Sequence, residues 1–170
     1  MAATDRLAPE IVSDSLTTNY PAGITFDIAA TGPADITAIS LRFGTTTTAT
    51  CQDAVAIRDL EIEPGADVTA SYTWDFRTSG TVPPGSEVWW EWEITDADGL
   101  VLRTERRTQI LTDQRFTWKS VGDESLTVYW VDGDQDFGQT VLDLAQGAAA
   151  SLRTDAGLVV DRPVRLTIYP

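Results

Sequence analysis

Between Gly23 and Asp113 the apolar residues recur at every second position, and that spacing restricts the chain more than any other feature. Ile24, Phe26 and Ile28 alternate with Thr25 and Asp27, and Ile39, Leu41 and Phe43 alternate with Ser40 and Arg42. Val68, Ala70, Tyr72 and Trp74 alternate with Thr69, Ser71 and Thr73, while Val88, Trp90, Trp92 and Ile94 are interleaved with Trp89, Glu91 and Glu93. A strand turns successive side chains to opposite faces, so this period describes half-buried strands and not helices. Clusters of Gly, Pro and Asp separate the runs, as turns would. About seven such strands in roughly 100 residues predict a mainly β fold, an immunoglobulin- or fibronectin-like antiparallel β-sandwich over residues 1–113. Residues 1–22 show no clear period, only turn signals at Asn19, Pro21 and Gly23.

One turn sets a register. Asp96-Ala97-Asp98-Gly99 suits a type I turn closed by a left-handed glycine. Pairing outward from it places Ile94 opposite Leu102, Glu93 opposite Arg103 and Trp89 opposite Arg107. Glu91 and Glu93 then share a solvated face with arginines, and Trp90 and Trp92 face the core.

Beyond Asp113 the spacing changes. Leu126–Val131 reads as a strand, and Phe137, Val141, Leu144, Ala145, Ala148, Ala149 and Leu152 recur at helical intervals. Asp134 is a natural N-cap, Asp136 suits the first turn, and Gly157 ends the helix near residue 155. Pro163 introduces a second strand through Val164, Leu166 and Ile168. Residues 114–170 are therefore expected to form a truncated β-α-β unit with a parallel crossover. Two strands and one helix make an incomplete sheet, so this part reads as the opening of a larger domain.

Composition narrows the chemistry. The chain has no histidine, which removes the usual general base, the Ser-His and Cys-His dyads and nearly all transition-metal sites. Cys51 is single, so neither an intramolecular disulfide nor a thiolate cluster can form. A net charge of −14 repels phosphate backbones and argues against nucleic acid as a partner. No apolar run approaches the ~20 residues of a membrane span, and the opening residues lack the apolar segment of a signal peptide. No cofactor is expected, and no enzyme activity.

Further residues carry a resemblance. Tyr72-Thr73-Trp74-Asp75, Pro83-Pro84-Gly85, Trp92-Glu93-Ile94-Thr95-Asp96 and Asp98-Gly99 are followed by Arg115, Phe116 and Trp118, then by Val128 and Trp130. Arg162-Pro163 next precedes a strand ending Ile168-Tyr169-Pro170. Together they resemble the N-terminal region of bacterial exported peptidase MA-like zinc metallohydrolases of the gluzincin type. That resemblance implies a β-sandwich ahead of a metallopeptidase domain opening strand–helix–strand, in an extracytoplasmic protein. Those enzymes use a helix bearing His-Glu-x-x-His, which this chain lacks, so no catalytic or metal-binding residue carries over. The expected role is a non-catalytic accessory module whose partner is a protease-like domain of the same or another protein.

Other constellations read as structure. Asp132, Asp134, Asp136 and Asp143 imitate the spacing of a calcium loop, but Phe137 stands where its glycine belongs, so capping explains them better. Ser120 and Thr45–Thr48 have no base to activate them. The candidate contact for a partner or glycan is Trp89 with Glu91 and Arg107. Trp89 is out of phase with the core tryptophans: either it packs under Arg107 or against the C-terminal piece, or it is an exposed indole, which stacks on sugar rings or anchors a protein. A glycan- or ligand-binding sandwich using Trp89 is the alternative function.

Overall fold

The computed structural model describes residues 7–46, 54–80, 82–159 and 163–170; Cys51, Thr47 and Thr48 lie outside them. The chain is mainly β and divides into two compact units, residues 1–112 and 113–170.

The first unit is an antiparallel sheet curled on itself. Its strands are β1 (Glu10–Asn19), β2 (Gly23–Thr45), β3 (Ala54–Leu60), β4 (Gly65–Asp75), β5 (Glu87–Asp96), β6 (Val101–Arg103) and β7 (Arg107–Ile110), with a short helix α1 (Phe76–Ser79) after β4. The organising element is β2, 23 residues long. Its first half, Gly23–Thr31, pairs with β1 on one side and β4 on the other. Its second half, Ile36–Thr45, pairs with β3 and β5. Between them lies Gly32-Pro33-Ala34-Asp35, where the β2–β4 register shifts, followed by a shift against β5 between Ile36 and Ala38; Pro33 has no N–H to give to a ladder, and the strand can bend there. The two halves then face each other: the Phe26 and Phe43 rings are 5.2 Å apart. Ile24, Phe26, Ile28 and Ala30 meet Ile39, Leu41, Phe43, Trp90, Trp92 and Ile94 in one buried core.

The predicted turn is present. Gly99 has φ +79°, its N–H donates to the Asp96 carbonyl, and Asp96 Oδ1 accepts from the N–H groups of Asp98 and Leu100. Glu93 pairs with Arg103 and Ile94 with Leu102, as the turn dictates. Beyond Arg103 the ladder breaks, and where it resumes Trp89 faces Thr108 while Arg107 faces Trp90. The expected pairing of Trp89 with Arg107 is therefore wrong by one residue. Thr104 causes the break: its hydroxyl accepts from the Trp92 N–H, and an extra residue bulges before β7.

β1 was not visible as a strand because its alternation is interrupted. Asp14 occupies a half-buried position between Ile11 and Leu16 where an apolar residue would complete the pattern.

The second unit holds three strands and a helix: β8 (Lys119–Gly122), β9 (Leu126–Trp130), α2 (Gln135–Ala156) and β10 (Val164–Ile168). β9 and β10 run parallel, as the strand–helix–strand order predicts. The expected two-stranded sheet gains β8, which forms an antiparallel hairpin with β9 and offered only Val121 as an apolar signal. Asp134 caps α2 by accepting from the Phe137 N–H, and Gly157 closes it at φ +66°. The buried stripe of α2 is narrower than its apolar spacing suggested. Gly138 and Leu142 are buried against Val128 and Trp130, whereas Leu144 and Leu152 are exposed.

Candidate functional site

The face of β5 that carries Trp89, Glu91 and Glu93 is a charge-paired surface. Glu93 accepts a hydrogen bond from Arg103 at 2.7 Å, and Glu91 lies 3.3 Å from Arg42 and 3.9 Å from Arg106. Arg42 stands directly opposite Glu91 in the β2–β5 ladder, so that pair follows from register. Trp89 is not an exposed indole. It is fully buried, with the Arg106 guanidinium 3.8 Å from its ring centroid. The bulge explains the cover: one inserted residue moves Arg106 onto this face and turns Arg107 to the other.

Arg107 consequently joins a different group. It lies 3.0 Å from the Asp14 carboxylate and also donates to the Asp14 carbonyl. Asp14 Oδ1 accepts from the indole N–H groups of Trp90 at 2.8 Å and Trp92 at 3.1 Å. With its side chain 1% exposed, this carboxylate ties β1 to β5 and β7 across the core. The three sequence-designated residues are thus split: Trp89 and Glu91 share one face, and Arg107 points elsewhere.

The unit also contains a cleft that the sequence did not reveal. β3 and β4 are joined through residues 61–64 and diverge from that loop, leaving a cavity of about 760 Å³. Phe43 is its floor, and half-buried Tyr72 and Trp74 form the β4 wall. The Phe43 ring packs at a tilt against both, 5.0 Å from Trp74 and 5.3 Å from Tyr72. Arg58 stands on the opposite wall. Its β3 neighbours Ala56 and Leu60 pack on the core, and Arg58 pairs with the core residue Leu41, which places it on the inner face. Its Nε donates to the Tyr72 hydroxyl at 3.1 Å and one terminal nitrogen to the Ile57 carbonyl at 2.8 Å. At the mouth, the Trp74 indole donates to Ser79 Oγ. Asp75 caps α1, and its hydrogen bonds from Arg77 hold its carboxyl down at about 2. Alternation marked Tyr72 and Trp74 as core; the one available signal for the cleft was an arginine in an inward position of β3.

In the second unit, buried Asp113 accepts five side-chain and backbone hydrogen bonds from Arg115, Trp118 and Tyr169. Arg115 binds it through Nε and a terminal nitrogen, the Arg115 N–H and the Tyr169 hydroxyl donate to its carboxylate, and Trp118 donates to its carbonyl. The Arg115 guanidinium, foremost, lowers the Asp113 pKa against the opposing effect of burial. Phe116, Trp118 and Tyr169 pack edge to face around it at 5.1–5.9 Å. Among the described residues, no three Asp, Glu, His or Cys side chains converge as metal ligands, and no helix is long and apolar enough to cross a membrane.

No protein-family model and no curated protein sequence matches this chain. Among solved structures it is similar to wild-type OgpA from Akkermansia muciniphila, with 14% identity and a TM-score of 0.45 over 64% of this chain. It is also similar to catalytically inactive OgpA in complex with an O-glycopeptide substrate, glycodrosocin, with 14% identity and a TM-score of 0.44. The chain spans only about 30% of the length of either protein.

Proposed function

We propose that this chain is a non-catalytic accessory module of an exported, peptidase MA-like metallohydrolase architecture. In that reading the first unit is an immunoglobulin-like sandwich and the second resembles the start of a metallopeptidase domain. The observation that carries the reading is the order of the two units. A curled antiparallel sheet precedes a strand–helix–strand unit whose β9 and β10 run parallel, the order that the sequence resemblance implies. The absence of histidine from the chain supports a non-catalytic role, because no imidazole is available as a zinc ligand or general base. An extracytoplasmic location and a protease-like partner, in the same or another protein, belong to this proposal.

Two measurements test it. Purified chain supplied with zinc should leave fluorescent casein intact; metal-dependent turnover would overturn the non-catalytic role. The coding DNA around the gene should carry a His-Glu-x-x-His helix, in frame or in an adjacent gene. A neighbourhood without one would overturn the accessory role.

A further inference from the structure

The geometry points to a binding site for a carboxylate-bearing sugar ring in the cleft between β3 and β4, with Arg58 as the group that recognises the carboxylate. This site is separate from the accessory role and does not depend on it. The starting observation is charge. The chain is strongly acidic, and Arg42, Arg77, Arg103, Arg106, Arg107 and Arg115 each pair with a carboxylate. Arg58, like Arg153 and Arg165, pairs with none among the described residues; what sets it apart is that, though exposed, it stands on the face where β3 otherwise places Ala56 and Leu60, beside the cleft. Two hydrogen bonds, to the Tyr72 hydroxyl and the Ile57 carbonyl, fix the plane of its guanidinium and leave further N–H donors. A planar fork held in place beside a cleft suits a bidentate carboxylate.

The rest of the cleft selects the body of the ligand. Half-buried Tyr72 and Trp74 supply an apolar wall, the surface on which the C–H faces of a sugar ring pack. The mouth is rich in hydroxyls: Thr46 and Thr78 already donate their protons, to Glu87 and to the Asp75 carbonyl, so their oxygens are left as acceptors, while Ser79 Oγ, which donates to the Asp75 carbonyl and accepts from the Trp74 indole, keeps one lone pair. A sugar offers hydroxyl donors to such a rim. The volume of about 760 Å³ lies in the range of small-ligand sites.

The test is a titration of the isotope-labelled full chain, followed at the Trp74 indole N–H and the Arg58 Nε–H. The probes are glucuronic acid, N-acetylneuraminic acid, glucose and acetate. At least one acid should shift both signals saturably, with a Kd on the order of 1 mM, and glucose and acetate should bind at least about tenfold more weakly. Which acid binds distinguishes a uronate from a sialate. Arg58→Gln should weaken the acid about tenfold or more while leaving the Trp74 indole signal in place; Arg58→Lys, which keeps charge but not the fork, should fall between. An equal response to glucose would overturn the role of Arg58, and an equal response to acetate would overturn the sugar. No saturation by either acid at about 50 mM would show Arg58 to be an inward charge that protects the β3 edge from pairing with other chains.

Discussion

Asp14 and Gly138 show how much single side chains decide here. Asp14 accepts from two indoles and pairs with Arg107 while its side chain is almost fully buried. Asp14→Ala would leave two indole N–H groups without their acceptor and remove the ion pair of Arg107, which keeps its bond to the residue 14 carbonyl. The expected loss is about 3 kcal/mol, since each orphaned buried donor costs roughly 1–3 kcal/mol. Urea unfolding followed by tryptophan fluorescence measures it, and a loss below about 1 kcal/mol would contradict the assignment. Gly138 is set against Trp130 so closely that an added Cβ would lie 2.2 Å from the indole, whereas one at Gly147 meets nothing within 4 Å. Gly138→Ala should therefore destabilise α2 against its sheet by about 1–3 kcal/mol through overpacking. Gly147→Ala, on the exposed helix surface, should stabilise it by about 0.5–1 kcal/mol through helix propensity. Thermal melts of the two variants should move in opposite directions; a shared direction would mean that the Trp130 packing is misjudged. Neither residue stood out in the sequence, because a glycine in a helix and an aspartate in a polar strand show no partner until distant elements meet.

At the scale of elements, the bulge between β6 and β7 assigns the arginines. Deleting Glu105 would restore the regular ladder and exchange the faces of Arg106 and Arg107. Arg107 would then leave Asp14, and Arg106 would leave Trp89. The variant should lose stability and quench differently at its tryptophans, measured by unfolding and by acrylamide access to the indoles. An unchanged chain would show that the bulge is a passive irregularity. The hairpin itself was legible, since Asp96 and Gly99 define the turn from four residues. The bulge was not, because it depends on a Thr104 hydroxyl finding the Trp92 N–H across the ladder. Likewise β9, α2 and β10 follow from local spacing, whereas β8 is too short and polar to announce itself.

For the whole molecule, charge sets two expectations. A net −14 at neutral pH repels itself, so added salt should raise stability between about 0.01 and 0.15 M as screening shortens to ~8 Å. A fall in denaturant midpoint with salt would contradict this. Asp113 gives the acid limb. Its folded pKa is lowered, first by Arg115, so its contribution is complete above the ordinary aspartate value of ~3.9 and is lost as pH falls through the lowered folded value. The stability gap between the natural chain and Asp113→Asn should be widest at neutral pH and close in strong acid. A gap constant with pH would mean that Asp113 acts by hydrogen bonding alone.

By itself the sequence determined the fold class, the change at residue 113 from period-two to helical spacing, the α2 caps and the Asp96–Gly99 turn. All of these rest on residues close together in the chain, where backbone geometry and side-chain period suffice. Tertiary structure decided that β2 bends at Gly32-Pro33 to face itself, that Trp89 is covered and not exposed, and that Arg58 looks into a cleft. Those outcomes depend on residues 14 to 93 positions apart, such as Arg58 with Tyr72 and Asp14 with Arg107. A one-residue shift in pairing reverses every side chain beyond it, and only the assembled sheet specifies that shift.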